Sequence, residues 1–177
     1  MKRWMWVAAI CLAVPMAARA QGNAANPVSD KLRQVLGEYS RNLVASGEAM
    51  PADKYSYRPT PEQMSFGKSL EHVAEVNNFA CSKVLGAPAP QGSKAAETDS
   101  KDKLVEGLKA SMDYCKQAFA KLTDSNLTDS VPWFGSRQTT RFAAAIEVTN
   151  DLIDHYAALA VYLRLNGLLP PTAQPRK

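Results

Sequence analysis

The sequence contains only two histidines, His72 and His155, and acidic residues around both could complete a metal site. Asp151 lies one helical turn before His155 and Glu147 two turns before it, so this spacing places all three side chains on one face. Near His72, Glu75 follows at i+3. Two imidazoles and a carboxylate with open coordination positions suit Zn²⁺, Fe²⁺, Ni²⁺ or Mn²⁺, and such an ion would activate a bound water.

The same spacing also fits a structural interpretation, in which each histidine makes a local hydrogen bond and the acids form solvated i,i+4 pairs. The sequence has no HExxH, CxxC, GxSxG or GxGxxG motif. The commonest zinc-protease, dithiol, serine-hydrolase and dinucleotide sites are therefore absent. Spacing alone leaves the metal and the structural interpretations open.

Four segments with apolar residues at a period near 3.6 must position these side chains. The pattern predicts helices over residues 29–45, 65–85, 100–122 and 140–165, and no segment shows the period-two alternation of a strand. Four amphipathic helices with one long crossing loop predict an all-α, antiparallel four-helix bundle. His72 then lies near the start of the second helix and His155 in the middle of the fourth. We expect Phe79 and Tyr162 to line a pocket within the bundle.

The first twenty residues are typical of a cleavable secretory signal peptide. Lys2 and Arg3 precede an apolar stretch, and the small-x-small pattern ending at Ala20 predicts cleavage after that residue. The apolar stretch contains Pro15 and is shorter than the roughly 20 residues of a membrane-spanning helix. We therefore expect a single domain over residues 21–177, located in the periplasm or secreted, with no stable membrane anchor after cleavage.

The basic charge of the chain comes mostly from this leader. Cleavage removes Lys2, Arg3 and Arg19, so the 21 basic residues become 18 against 17 acids, and the formal charge falls from +4 to +1. The remaining basic residues are scattered among acids rather than gathered in a stripe with aromatic residues. This distribution argues against a nucleic-acid partner.

Two cysteines remain after cleavage, Cys81 and Cys115, and both lie on apolar stripes of predicted helices. Disulfides form and persist in the compartments to which exported proteins are delivered. We therefore expect a bridge between the second and third helices, with two buried free thiols as the alternative.

Two segments resemble the DinB/YfiT-like family of helical bundle proteins. One runs from His155 through Leu163-Arg164-Leu165-Asn166-Gly167 to Pro170-Pro171, and looks like the end of that family's last helix. The other, Tyr57-Arg58-Pro59-Thr60-Pro61-Glu62-Gln63-Met64-Ser65-Phe66-Gly67 followed by Leu70-Glu71-His72-Val73-Ala74, is similar to its loop into the second helix. With the helix order, the resemblance covers nearly the whole mature chain.

The resemblance implies an up-down-down-up bundle in which three histidines hold a divalent metal. His72 and His155 match the first and third ligand positions, whereas the middle position is Asp151, which departs from the family pattern. A carboxylate there raises the preference for harder ions. The family's usual Gly-Gln after the last histidine is replaced by Ala157-Ala158.

Three functions are compatible with the sequence. The first is a metal-dependent hydrolase of an unspecified small molecule, with Glu147 or Glu75 as the general base. The second is a non-catalytic module that binds a small ligand or a partner and has lost the metal. The third, which the resemblance also includes, is a thiol-dependent S-transferase, and export argues against it because its usual cosubstrates are cytosolic thiols. Neither the substrate nor the oligomeric state follows from the sequence.

Overall fold

The computed structural model describes residues 26–91 and 95–175, and the predicted signal peptide lies outside these residues. The four long helices are α1 (Pro27–Ala49), α2 (Phe66–Leu85), α3 (Lys101–Ala120) and α4 (Arg141–Leu165). Helix α1 continues past the predicted end at residue 45, and Gly47 lies buried within it, close to Leu70 and Val105. Helix α3 stops at Ala120, and Leu122 is buried just beyond its C-cap.

The four helices form one bundle in which α1 and α2 each pack against both α3 and α4. Cys81 bonds to Cys115 and Asn77 donates to Ser111, so α2 and α3 run parallel. The N-terminal turn of α2 meets the C-terminal turn of α4, where Phe66 packs on Tyr162, so these two helices run antiparallel. The order is therefore up-down-down-up. The four-helix bundle predicted from the sequence is confirmed.

The core lies along the common axis and consists of residues that recur on one face of each helix. Large side chains that are essentially inaccessible to solvent include Leu36, Leu43, Phe66, Leu70, Leu108, Met112, Phe119, Leu152 and Leu159. In the described residues, no helix combines the length and apolar character needed to cross a bilayer.

The expectation that the chain has no strand is wrong, because a small hairpin precedes α4. Strands β1 (Ser130–Pro132) and β2 (Gln138–Thr140) pair antiparallel, with Val131 opposite Thr139. Each strand has three residues, too few to show an alternating pattern in the sequence. Gly135 adopts a φ of 63° in the connecting loop, a conformation that favours glycine.

A carboxylate from the α3–α4 connection caps the start of α1. The backbone N–H groups of Val28 and Ser29 donate to Asp124, and so does the Ser29 hydroxyl. Burial tends to raise the pKa of Asp124, but these hydrogen bonds and the nearby Arg33 outweigh it, and the pKa lies below its usual value. This long-range cap fixes the end of the bundle opposite the N-terminus of α2.

A disulfide links the two parallel helices. Cys81 and Cys115 are bonded, with their Cα atoms 5.2 Å apart and both side chains buried. The bridge predicted between the second and third helices is confirmed.

Candidate metal site

The structure brings His72 of α2 together with Asp151 and His155 of α4. One ligand atom from each residue lies within 4.8 Å of the others, and all three side chains are partly buried. The two imidazole rings are 5.1 Å apart between centroids and are tilted by 58°. Ligands about 2.1 Å from one ion lie at most about 4.2 Å apart, so small side-chain rotations would close the group around a cation.

The helix geometry accounts for this arrangement. Asp151 and His155 are one turn apart on α4, and Oδ1 of Asp151 lies 3.5 Å from Nε2 of His155. Helix α2 runs antiparallel beside α4, so His72 meets this pair from the facing helix. Inward side chains on facing helices are the usual source of metal sites in bundles.

Asp151 provides a test of whether these residues suit a metal. Its second oxygen, Oδ2, is buried and accepts no hydrogen bond from the residues that the structure describes. A buried carboxylate oxygen without a partner is unfavourable by about 1–3 kcal/mol or more. A cation bound between Asp151 and the two histidines would remove this cost. Two imidazole nitrogens and one carboxylate oxygen form a donor set suited to Zn²⁺, Fe²⁺, Ni²⁺ or Mn²⁺.

The two glutamates considered as general bases flank this group. Glu75 lies one turn after His72 on α2, and Glu147 lies one turn before Asp151 on α4. Both are exposed, and the group of mutually close ligand atoms consists of the other three side chains. Their placement suits proton transfer at the rim of the site better than metal ligation.

Phe79 and Tyr162, predicted to line one pocket, occupy different surroundings. Phe79 lines a cavity of about 530 Å³ between α2, α3 and the segment that connects them. Tyr162 is buried two turns beyond His155, and its hydroxyl donates to the carbonyl oxygen of Met64. Burial, chiefly, raises the pKa of Tyr162, with a smaller contribution from Tyr57. Tyr162 thus secures the loop that leads into α2.

An aromatic cluster near the site was missed by sequence reasoning. Phe79 stacks on Phe134 with ring centroids 4.5 Å apart, and Trp133 contacts both rings. The sequence shows Trp133 and Phe134 beside Pro132 and Gly135, a pattern that indicates only a turn. The one feature of the sequence that could have indicated this cluster is the pair of adjacent aromatic residues in an otherwise polar connection.

A family model, the DinB superfamily, matches residues 38–159. The chain belongs to the DinB superfamily. The match includes His72, Asp151 and His155, so the candidate metal site lies within the family's domain. No curated protein matches the sequence significantly.

Solved structures agree with the fold. A DinB-like protein from Bacillus cereus superposes with a TM-score of 0.66 at 16% identity, covering 80% of this chain and 95% of that chain. A DinB-like protein from Bacillus subtilis gives a TM-score of 0.65 at 20% identity, covering 83% and 99%. A variant of mycothiol-dependent maleylpyruvate isomerase gives 0.60 at 11% identity, covering 74% of this chain and 60% of that one.

Proposed function

We propose that this DinB protein binds one divalent metal ion through His72, Asp151 and His155 and acts as a metal-dependent hydrolase of a small molecule. The observation that carries the proposal is the convergence of three ligand atoms within 4.8 Å. The buried Oδ2 of Asp151 supports it, because this oxygen has no hydrogen-bond partner among the described residues and a cation would serve as one. A divalent ion held there would lower the pKa of a bound water.

The residues of the chain have separable roles in this proposal. Neutral imidazoles of His72 and His155 and the carboxylate of Asp151 hold the metal. Glu147, exposed one turn from Asp151, accepts a proton at its carboxylate from the attacking water, and Glu75 is the second candidate for this role. General base catalysis of this kind contributes about 10²–10⁴-fold to a rate.

We further propose that the protein works outside the cytoplasm, in the periplasm or as a secreted protein. The disulfide between Cys81 and Cys115 supports this location, because such bonds persist in oxidising compartments. The partner is then a small molecule of that compartment. The likeness to mycothiol-dependent maleylpyruvate isomerase suggests a thiol-dependent transferase as an alternative. This alternative fits an extracytoplasmic location less well, because the usual cosubstrates of such enzymes are cytosolic thiols.

Metal analysis of the purified protein tests the proposal. We expect about one equivalent of Zn, Fe, Ni or Mn per chain in the wild type and loss of that metal in His155→Ala. Asp154→Ala is the matched control, because Asp154 is an exposed acid next to His155 and lies outside the ligand group. A folded wild-type protein that stays metal-free after incubation with each of the four ions would contradict metal binding and leave the non-catalytic module.

Hydrolysis is tested separately on the metal-loaded protein with a panel of esters and amides. We expect Glu147→Gln to lower kcat at least a hundredfold while the bound metal is retained, with Glu75→Gln measured beside it. Turnover that requires an added thiol would instead support the transferase.

A further inference from the structure

We propose that the cluster of Phe79, Trp133 and Phe134, with Lys83 beside it, binds an aromatic ring that carries an anionic group, as the recognition element of the substrate. This inference rests on the proposed hydrolase function. It names the class of substrate as an ester or amide that carries an aromatic carboxylate at one end.

The cluster is a set of packed aromatic rings in which Phe134 is half-exposed. Nζ of Lys83 lies 5.0 Å from the centroid of the Phe79 ring, and Phe79 stacks on Phe134 at 4.5 Å with an interplanar angle of 25°. Trp133 meets Phe134 edge-on at 5.2 Å. Phe134 is nevertheless 50% exposed. Aromatic rings pair favourably at centroid distances of about 4.5–7 Å, so an incoming ring can extend the stack on Phe134.

The hairpin holds this stack firmly on the bundle. The N–H of Trp133 donates to the carbonyl oxygen of Arg137 at 2.9 Å, which closes the loop between β1 and β2. Arg141, at the start of α4, donates to the carbonyl oxygen of Val84 at the end of α2. A ligand that binds here finds its contact surface already ordered, which lowers the entropic cost of binding.

The cluster and the metal site share one face of α2. Phe79 lies seven residues after His72, which corresponds to a rise of roughly 10 Å and to nearly two full turns. Glu147 lies on α4 one turn before Asp151, on the side toward the hairpin. A substrate whose ring rests on Phe134 therefore reaches the metal site when its scissile bond lies roughly 10 Å or more from the ring.

The charges near the stack indicate an anionic substituent. Lys83 and Arg137 form no ion pair with an acid in the described part of the chain. Lys83 projects from the turn after Phe79, and Arg137 is exposed on the hairpin that carries Phe134. A carboxylate on the ligand would gain a charge-assisted contact beside the stack.

Calorimetric titration of the full chain with hippurate, in the presence of EDTA, tests the inference without the metal. We expect saturable binding of hippurate, at least tenfold weaker binding by Phe134→Ala, and no saturable binding of N-acetylglycine, which lacks the ring. Phe142→Ala is the matched control, because Phe142 is a similarly exposed aromatic residue on α4 outside the stack. We expect it to bind as the wild type does.

Three results would overturn the inference: no saturable binding of hippurate, equal affinity in Phe134→Ala, or binding to vesicles of anionic phospholipid in its place. The last result would assign the cluster to a membrane surface. If hippurate binds but the wild type takes up no metal, the hydrolase proposal fails alone. If metal binds and hippurate does not, only the substrate assignment fails.

Discussion

The imidazole rings of His72 and His155 lie 5.1 Å apart although they belong to helices that are distant in sequence. Asp151 joins them from the turn below His155, and its buried Oδ2 has no partner in the described residues. Asp151, where this chain departs from the three-histidine pattern, is thus the residue of the site that has a buried acceptor without a hydrogen bond in the described residues. In the proposed metal site, the chemistry of this position would determine which ion is preferred.

Replacing Asp151 should change the preference among metals. We expect Asp151→His to raise the affinity for Zn²⁺ relative to Mn²⁺ by about tenfold or more, because imidazole favours the softer ion. Competition with a zinc-binding dye and with Mn²⁺ measures the ratio of the two affinities. Asp154→His is the control and should leave this ratio unchanged, since Asp154 lies outside the ligand group. An unchanged ratio in Asp151→His would remove Asp151 from the ligand set.

The disulfide should make a measurable contribution to stability. Cys81 and Cys115 are separated by 34 residues, and a loop of this size corresponds to about 4 kcal/mol in the chain-entropy model. We expect Cys81→Ala/Cys115→Ala to lower the free energy of unfolding by roughly this amount, measured by urea denaturation.

A thiol count checks the bridge itself and also tests the leader. In denaturant without reductant, neither Cys81 nor Cys115 should react, and reductant should release two thiols. Cys11 adds a third only if the first twenty residues are retained. Two reactive thiols per mature chain before reduction would argue against the bridge.

The cap on α1 should make stability depend on acid pH. The pKa of Asp124 is lowered in the folded protein, so its contribution is present above the unfolded pKa of about 4 and disappears as the pH falls through the folded value. We expect Asp124→Asn to have a lower Tm than the wild type at pH 7. The difference should shrink steadily from pH 5 to pH 3 in thermal denaturation. A constant difference over this range would mean that the charge of Asp124 contributes nothing.

Two glycines of α1 should respond in opposite directions to the same substitution. A Cβ at Gly37 would meet only the end of the Arg41 side chain, at 3.5 Å, so Gly37→Ala should stabilise the helix by about 0.5–1 kcal/mol. At Gly47 it would lie 3.2 Å from both Leu70 and Val105, which are buried. Overpacking costs about 1–3 kcal/mol, so Gly47→Ala should be destabilising by about 1 kcal/mol net. Urea denaturation of both variants provides the comparison, and stabilisation of Gly47→Ala would show that the helices can separate there.

Local patterns in the sequence were sufficient to predict the helices. The apolar stripe of each segment has the period of a helix, and side chains such as Leu36, Leu70, Leu108 and Leu152 are buried as that period requires. The pairing of Asp151 with His155 follows from the same arithmetic, since both lie on one helix. His72 is a candidate because it is one of only two histidines and lies on a predicted helix, and the family resemblance matches it to a ligand position.

The remaining features depend on contacts between distant parts of the chain. Asp124 caps the start of α1 through Ser29, although the two residues are far apart in the sequence. No local pattern links a loop aspartate to a particular helix start. Phe79 meets Phe134 because the hairpin packs against the end of α2, where Arg141 also donates to the carbonyl oxygen of Val84. Three-residue strands are also too short for a periodic signal. These features follow from tertiary packing, which sequence spacing does not encode.

The bond between Cys81 and Cys115 also has a mechanical consequence for the helix that carries His72. Two helices packed through aliphatic side chains can shift axially by a turn and find new grooves of similar depth. A covalent tie between α2 and α3 prevents such a shift, and it lies only nine residues beyond His72 on the same helix. The tie therefore fixes the axial position of His72, a candidate metal ligand, relative to α3. Oxidation of the two cysteines during folding thus fixes the axial register of the helix that carries His72.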